Sequence, residues 1–154
     1  MTRSIEIRLA DRGDVAAIAA MFAQDTLGGH GDSADPAELP LYLAAFDRIA
    51  TSPNDALYVA VRDGEVVGTF QTTLITSLTG KGASSLTIEA VHTRTDMRGL
   101  GIGQSMVNHA IAQGRDQGAR LVQLMSNAVR HDAHRFYQNL GFTRSHAGFK
   151  MKLR

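Results

Sequence analysis

The sequence contains no cysteine, which excludes disulfides, thiolate nucleophiles and zinc–thiolate sites. It contains 16 basic and 15 acidic residues, so its net charge is close to zero. Any anion site must therefore come from a local cluster of groups. It also lacks an apolar run of about 18 residues and the apolar segment of a signal peptide. These absences predict a soluble cytoplasmic protein with neither a membrane nor a nucleic acid as partner.

The apolar fraction is 44% of 154 residues, enough to bury one substantial core, so a single domain over residues 1–154 is expected. Hydrophobic periodicity predicts the chain order β-α-α-β-β-β-α-β-α-β-β. The predicted strands span 4–9, 57–62, 65–76, 86–93, 121–125, 142–145 and 149–153. The first predicted helix ends near residue 24, and the other three span about 40–50, 102–117 and 132–140. This order predicts an α/β fold with a mixed sheet.

Two connecting segments carry predictions of their own. Asp63 and Gly64 separate two predicted strands and are a strong signal for a two-residue hairpin turn. Between the first two helices, the glycine- and acid-rich segment 28–35 (GGHGDSAD) is either a mobile cover over a site or a solvated connector.

The glycine-rich stretch Arg98-Gly99-Leu100-Gly101-Ile102-Gly103 connects a predicted strand to a predicted helix. Glycine allows a tight turn, and the free amides at a helix N-terminus bind anions because the helix dipole also favours negative charge there. A P-loop is excluded because no lysine follows the glycines. A dinucleotide-binding G-x-G-x-x-G is excluded because Gln104 or Met106 takes the last position. The stretch predicts a pyrophosphate site, with an ordinary glycine turn as the alternative.

Arg98, Gly101 and Gly103 match the pattern R-x-x-G-x-G, which resembles the acetyl-CoA loop of the GNAT family of N-acetyltransferases. Segment 133–142 (AHRFYQNLGF) resembles that family's A-x-x-F-Y-x-x-x-G-F sequence at every defined position. By itself, this second segment also fits an ordinary amphipathic helix ended by glycine. Together, the two matches and the strand order extend the resemblance over most of the chain from Leu57 onward.

The resemblance implies a GNAT-like acyl-CoA N-acyltransferase fold, in which a central mixed sheet with splayed parallel strands is flanked by helices, and acetyl-CoA is the co-substrate. It assigns the pantetheine contacts to the backbone of Val91, His92 and Thr93. It assigns the pyrophosphate to Arg98, Gly99, Leu100, Gly101, Ile102, Gly103 and Gln104. Two positions depart from the family pattern. Arg130 stands where many relatives have a cofactor-binding Asn, for which Asn127 is the proposed substitute, and Thr95 replaces a common proline.

Transfer of an acetyl group to an amine requires a neutral amine, a donor for the developing oxyanion and a proton for the leaving thiolate. An amine of pKa about 10.4 is neutral at pH 7 in only about one molecule in 10³, so a base is needed. Glu89 on the central strand is the candidate base, and its alternative role is a surface ion pair. His92 is the second candidate base, and strand alternation places its side chain on the face of the sheet opposite to Glu89. Tyr137 is the candidate acid and a cofactor contact, with simple packing as its alternative role. A backbone amide near Val91 is the oxyanion donor.

The predicted function is acetyl-CoA-dependent acetylation of the primary amine of a small molecule. The acceptor groove is expected between the first two helices, segment 28–35 and the strand around Thr72. Segment 130–137 also resembles aminoalkylphosphonate acetyltransferases, which indicates an amine bearing an anion. Acetylation of protein lysines or N-termini, and acyl-CoA binding by a regulator without turnover, are the alternatives. A homodimer is a family expectation. No metal site is expected, because His131 and His134 lack a third ligand.

Overall fold

The structure is a computed structural model that describes residues 4–27 and 30–154. Its sheet runs in the order β1-β2-β3-β4-β5, and every neighbouring pair is antiparallel except β4 and β5, which are parallel. The strands are β1 (Glu6–Leu9), β2 (Asp55–Arg62), β3 (Glu65–Thr76), β4 (Ser84–Thr93) and β5 (Leu121–Leu124). The predicted α/β fold with a mixed sheet is confirmed.

The helices follow the predicted order, with one short addition between β3 and β4. They are α1 (Val15–Ala23), α2 (Leu39–Thr51), α3 (Thr79–Gly82), α4 (Ile102–Asp116) and α5 (His131–Asn139). Among the described residues, none of these helices combines the length and the apolar character needed to cross a membrane.

The helices cover the two faces of the sheet. On one face, Ile18 and Met21 of α1 pack against Val59 of β2. On the other face, Phe70 of β3 packs with Ile102 and other buried residues of α4, together with partly buried residues of α5. Burial of these apolar faces is the main favourable term in folding, and it fixes which strand residues face which helix.

The hairpin between β2 and β3 forms through the predicted two-residue turn. Asp63 has a φ of 52° and Gly64 a φ of 78°, so both central residues are left-handed. This combination matches the twist of the flanking strands and explains why an Asp-Gly pair ends one strand and starts the next.

The prediction of two strands at the C-terminus, at 142–145 and 149–153, is wrong. Residues 142–154 contain no helix or strand, and no backbone hydrogen bond joins 143–154 to another strand in the described part of the chain. The apolar alternation that suggested a strand is real, but Phe149, Met151 and Leu153 are 93%, 84% and 90% exposed. Alternation predicts a strand only where a neighbouring strand supplies the hydrogen bonds, and none does so here.

Candidate functional site

Strands β4 and β5 separate at the level of the proposed cofactor site. Their parallel pairing runs from Ser85↔Leu121 to Ile88↔Leu124, whereas β4 continues to Thr93. Within the described residues, the β5-facing edge of β4 therefore has no strand partner beyond Ile88. The predicted splay is present, and the backbone of Val91, His92 and Thr93 lies along the part of β4 that it exposes.

The glycine loop leads directly from this open edge into α4. Gly99 and Gly101 adopt φ values of 79° and 82°, a left-handed conformation that costs other residues about 1–2 kcal/mol. Gly101 is the residue that precedes the helix, and the first N–H groups of α4, those of Ile102, Gly103 and Gln104, have no partner within an α-helix. The loop therefore presents several free donors in one place.

Gly103 has a different role from the two glycines before it. A Cβ atom at Gly103 would lie 3.3 Å from Cζ of Phe136 and 3.8 Å from Oγ1 of Thr93. This glycine is needed because α5 packs closely on the first turn of α4. The two sequence motifs are thus in direct contact, which an ordinary glycine turn does not require.

Tyr137 follows Phe136 on α5 and lies half-buried against the core on the α4 side. Its ring centroid is 5.2 Å from that of Phe136 and 5.9 Å from that of Phe142. Burial raises the pKa of the Tyr137 phenol, and the positive charge of Arg130 partly opposes that rise. The phenol is therefore protonated across the neutral range, as a proton donor must be.

A bulge in β4 overturns one prediction about the two candidate bases. Glu89 pairs with Gln71 and His92 pairs with Thr69, so three steps along β4 match two steps along β3. The extra residue lies next to Ala90, which has a φ of 52°. Because a bulge shifts the side-chain alternation by one residue, Glu89 and His92 lie on the same face of the sheet. The prediction that they lie on opposite faces is wrong.

The shared face is the α1 side, where a cavity of about 200 Å³ opens beside the end of α1. Glu89 is exposed to solvent, whereas the side chain of His92 is only 20% exposed and forms part of the cavity wall. The residues around the cavity are Phe22, Ala23, Asp25, Thr26, His30, Gly31, Asp32 and His92.

Three segments meet at this cavity through charged side chains. Arg130, just before α5, donates from Nη2 to Oδ2 of Asp25 at 2.6 Å. Nε2 of His92 lies 4.0 Å from the same oxygen. Burial by itself would raise the pKa of Asp25, but the hydrogen bond and charge of Arg130 outweigh it and lower that pKa. Burial lowers the pKa of His92, and Asp25 opposes that shift. Near neutral pH this wall therefore holds a carboxylate and a neutral imidazole, and the guanidinium of Arg130, which does not line the cavity, pairs with the carboxylate.

From segment 28–35, His30, Gly31 and Asp32 line the cavity, and Gly28 and Gly29 lie outside the described residues. Tyr42 of α2 donates from its hydroxyl to Oδ1 of Asp32 at 2.7 Å and accepts from the N–H of Ser33 at 3.0 Å. These bonds attach the wall to α2.

Thr72 does not take part in the acceptor side of the site, contrary to prediction. It is 1% exposed and exchanges hydrogen bonds with Gln113 of α4, on the opposite face of the sheet. The register places the neighbouring Gln71 opposite Leu57, whose side chain packs on the α1 side, so Gln71 is the residue of this strand that faces the acceptor side.

Asn127 lies in the turn before α5, and His131 and His134 lie in the first turns of that helix. Asn127 accepts the Val129 N–H at its side-chain oxygen (3.1 Å), and its carbonyl accepts from Nε2 of His134 (2.9 Å). The rings of His131 and His134 are 6.0 Å apart. Among residues 4–27 and 30–154, no group of three or more His, Asp or Glu side chains is arranged to hold a metal ion.

Asp25 and Arg130 are the charged site residues that sequence reasoning missed. Asp25 follows α1 without any motif, and Arg130 drew attention only as a departure from a family pattern. Their separation of 105 positions left no local signal for the pairing. The sequence showed only an acidic residue after one helix and an arginine before another, and neither indicates that the two residues pair.

Comparison with known proteins agrees with this geometry. The model of the acetyltransferase (GNAT) family matches residues 15–142. An aminoalkylphosphonate N-acetyltransferase from Salmonella typhimurium is 35% identical over 101 residues, which cover 66% of this chain and 65% of that protein. The match thus spans just under two thirds of that relative's length.

Solved structures are similar over nearly the whole chain. A transcriptional regulator from Bacillus halodurans C-125 has 38% sequence identity and a TM-score of 0.93, with 97% of this chain and 100% of that chain covered. A predicted acetyltransferase from Clostridium acetobutylicum, solved with acetyl-CoA, has 16% identity and a TM-score of 0.72, with 97% of each chain covered. The second similarity shows the shared fold.

Proposed function

This chain belongs to the acetyltransferase (GNAT) family, and on that premise we propose that it transfers the acetyl group of acetyl-CoA to the primary amine of a small molecule. Residues 1–154 act as one acetyltransferase domain in this proposal. The observation that carries it is the continuity between the open edge of β4 and the free donors that begin α4. A neighbour of the same fold is solved with acetyl-CoA, which supports the same co-substrate here.

The residues on this edge fit the chemical groups of a coenzyme A ester. Its diphosphate needs several donors at one place, which the amides from Gly99 to Gln104 supply, and Arg98 adds a cation. Its pantetheine arm is an extended chain with amide groups, which suits the unpaired backbone of Val91, His92 and Thr93. Asn127 is the remaining contact in this assignment.

Acetyl-CoA, when bound, supplies the acetyl group as a thioester, so that a C–N bond to the amine replaces the C–S bond. The chain's own residues manage the protons. A base on the α1 side of β4, for which Glu89 and His92 are the candidates, removes a proton from the acceptor ammonium. Tyr137 supplies a proton from its hydroxyl to the leaving sulfur, and the second proton that the nitrogen loses as the amide forms restores the phenol. The backbone amide near Val91 donates to the developing oxyanion.

The acceptor is a small amine because the cavity beside α1 is small. A cavity of about 150 Å³ holds a benzene molecule, so about 200 Å³ suits an amine of modest size. The Salmonella relative is described as acting on aminoalkylphosphonates, which carry both an amine and an anion. We propose such an acceptor as the first compound to examine, with Arg130 as the cation nearest to the cavity wall.

The test is release of free thiol from acetyl-CoA over a panel of amines. An aminoalkylphosphonate, the alkylamine of the same length, a lysine peptide and a peptide with a free N-terminus separate the acceptor classes. Rapid thiol release with a small amine supports the proposal. Turnover of the peptides alone would favour protein acetylation instead.

A regulator that binds acetyl-CoA without turnover is the second candidate function, because a similar solved structure is described as a transcriptional regulator. Acetyl-CoA at 100 times its Kd adds about 2.7 kcal/mol of stability to any protein that binds it. Such stabilisation without thiol release for any amine would favour the regulator.

A homodimer and a cytoplasmic location complete the proposal. The exposed apolar side chains of Phe149, Met151 and Leu153 alternate with lysines, and the same chain offers them no strand partner among its described residues. A second copy supplies one. The absence of cysteine suits the reducing cytoplasm.

A further inference from the structure

The cavity beside α1 contains a charged network that the sequence motifs do not account for. One carboxylate oxygen of Asp25 accepts from Arg130 at 2.6 Å and lies 4.0 Å from Nε2 of His92. The other oxygen accepts from the N–H of Leu27 at 3.2 Å. Asp25 is thus held from two sides, and its side chain is only 11% exposed. The network joins the end of α1, β4 and the turn before α5.

The imidazole of His92 lies beside this network and packs against an aromatic neighbour. The ring of Phe22 meets it edge to face, with centroids 4.9 Å apart and an interplanar angle of 63°. Phe22 lies in α1 and Asp25 follows the end of that helix, so one segment of the chain brings both side chains to the ring. The rest of the ring borders the cavity.

We propose that His92 accepts the proton of the amine in this cavity, and that Asp25 and Arg130 are positioning residues that orient its imidazole and set its charge. This inference rests on the function proposed above. An N–H bond of the bound ammonium breaks, its electron pair stays on the amine nitrogen, and His92 takes the proton at the ring nitrogen that does not face Asp25, and later releases it to solvent. Glu89 shares the face but is exposed and does not border the cavity.

The surroundings also define the class of acceptor. Two carboxylates, Asp25 and Asp32, border the cavity, and no lysine or arginine is among the described residues around it. A small primary aliphatic amine in its ammonium form therefore enters favourably. It loses its proton beside the neutral imidazole.

The charges facing His92 act on its pKa in opposite directions. Burial is the largest cause and lowers that pKa, Asp25 and Asp32 raise it, and Arg130 and Arg98 lower it. His30 borders the same cavity, and Glu89 lies on the same face of β4. Removing Asp25 leaves Arg130 uncompensated, and removing Arg130 leaves Asp25 uncompensated. The two substitutions must therefore shift the His92 pKa in opposite directions.

The first test is an NMR titration of the histidine ring signals in the protein without acetyl-CoA. His92→Gln identifies the His92 signal among the six histidines. Asp25→Asn is expected to lower the pKa of His92 by about half a unit or more, and Arg130→Gln to raise it by a similar amount. Asp47→Asn breaks a comparable ion pair, with Arg12, and should leave the His92 signal unchanged. If the His92 pKa shifts in the same direction in Asp25→Asn and Arg130→Gln, or does not shift, the proposed positioning role of these residues is wrong. Melting temperatures exclude loss of fold as the cause.

The second test is the pH profile of kcat/KM with the best amine of the panel. Its acid limb should move to lower pH in Asp25→Asn, move to higher pH in Arg130→Gln and vanish in His92→Gln. If Glu89→Gln removes the limb and His92→Gln keeps it, Glu89 is the base and the proposal fails. The titration needs no acetyl transfer, so a protein that titrates as expected but releases no thiol would refute the proposed function and leave the network standing. An active enzyme with a failed titration would refute the network alone.

Discussion

The two halves of the proposed site differ in the groups that they offer to a ligand. The cofactor half, from β4 through α5, offers backbone groups: the open edge of β4 and the amides that start α4. The acceptor half offers side chains from three distant segments, namely Asp25, His92 and Arg130. Backbone recognition constrains glycine positions and so leaves a motif in the sequence. Recognition by side chains leaves no sequence motif, because many different pairs of residues can form an equivalent cavity wall.

This comparison predicts that substitutions can impair the function of one half while the function of the other half is unchanged. Substitutions in the cofactor half should change acetyl-CoA affinity or the chemical step, and those in the acceptor half should change the Michaelis constant of the amine.

The largest effect is expected for Tyr137→Phe. Removal of the hydroxyl takes away the proposed proton donor while the half-buried ring keeps its packing against Phe142. We expect kcat to fall about 10²-fold, a typical contribution of a positioned acid, with acetyl-CoA affinity nearly unchanged. Steady-state kinetics and calorimetry separate the two quantities. An unchanged kcat would remove the catalytic role and leave Tyr137 as a packing residue.

The next effect is expected for Gly101→Ala. The φ of 82° at this position costs an alanine about 1–2 kcal/mol, which the loop can relieve only by moving the amides of α4. The Kd of acetyl-CoA should rise about tenfold, with no change in the Michaelis constant of the amine. Gly13→Ala is the matched control, because its added Cβ would meet no atom within 4 Å and no positive φ is required there. Equal behaviour of the two variants would count against the diphosphate site.

A smaller effect is expected for Asp32→Asn in the acceptor half. This carboxylate borders the cavity and is tied to Tyr42, so its charge favours a cationic acceptor. The Michaelis constant of the amine should rise by about three- to fivefold, the scale of a partly screened charge, with acetyl-CoA affinity unchanged. Asp116→Asn at the end of α4 removes the same charge far from the cavity and serves as control. A change in acetyl-CoA affinity instead would show that the two halves are not separable.

The smallest effect on catalysis is expected for charges placed in the C-terminal segment, which belongs to neither half. Phe149→Asp together with Met151→Asp removes two of its three exposed apolar side chains. Sedimentation velocity should show a dimer for the native chain and a monomer for this variant, with kcat nearly unchanged. A native chain that is already monomeric would contradict the proposed dimer.

The elements of the proposed cofactor half were predictable from the sequence because they obey local rules. The Asp63-Gly64 turn, the β4–loop–α4 order and the hydrophobic periodicity of α4 each follow from a few adjacent residues. The closeness of Gly103 to Phe136 is a tertiary contact that the sequence did not indicate, and the role of Gly103 at the diphosphate stays a prediction.

The errors all come from interactions that adjacent residues do not encode. The bulge at Ala90 depends on the register between β3 and β4 and reverses the face assigned to His92. The strand around Thr72 was predicted to line the acceptor groove, but a partly buried bond to Gln113 holds Thr72 itself on the other face. Residues 149–153 alternate like a strand but find no strand partner among residues 4–27 and 30–154. Register and pairing are properties of the assembled sheet.

The central claim is that the free amides at the start of α4 bind the diphosphate of acetyl-CoA. Backbone amide NMR tests it most directly, by comparing coenzyme A with pantetheine, which lacks the diphosphate. We predict that coenzyme A shifts the amide signals of Ile102, Gly103 and Gln104 more than any others, and that pantetheine leaves them in place. If coenzyme A binds while those three signals stay unmoved, the account is wrong.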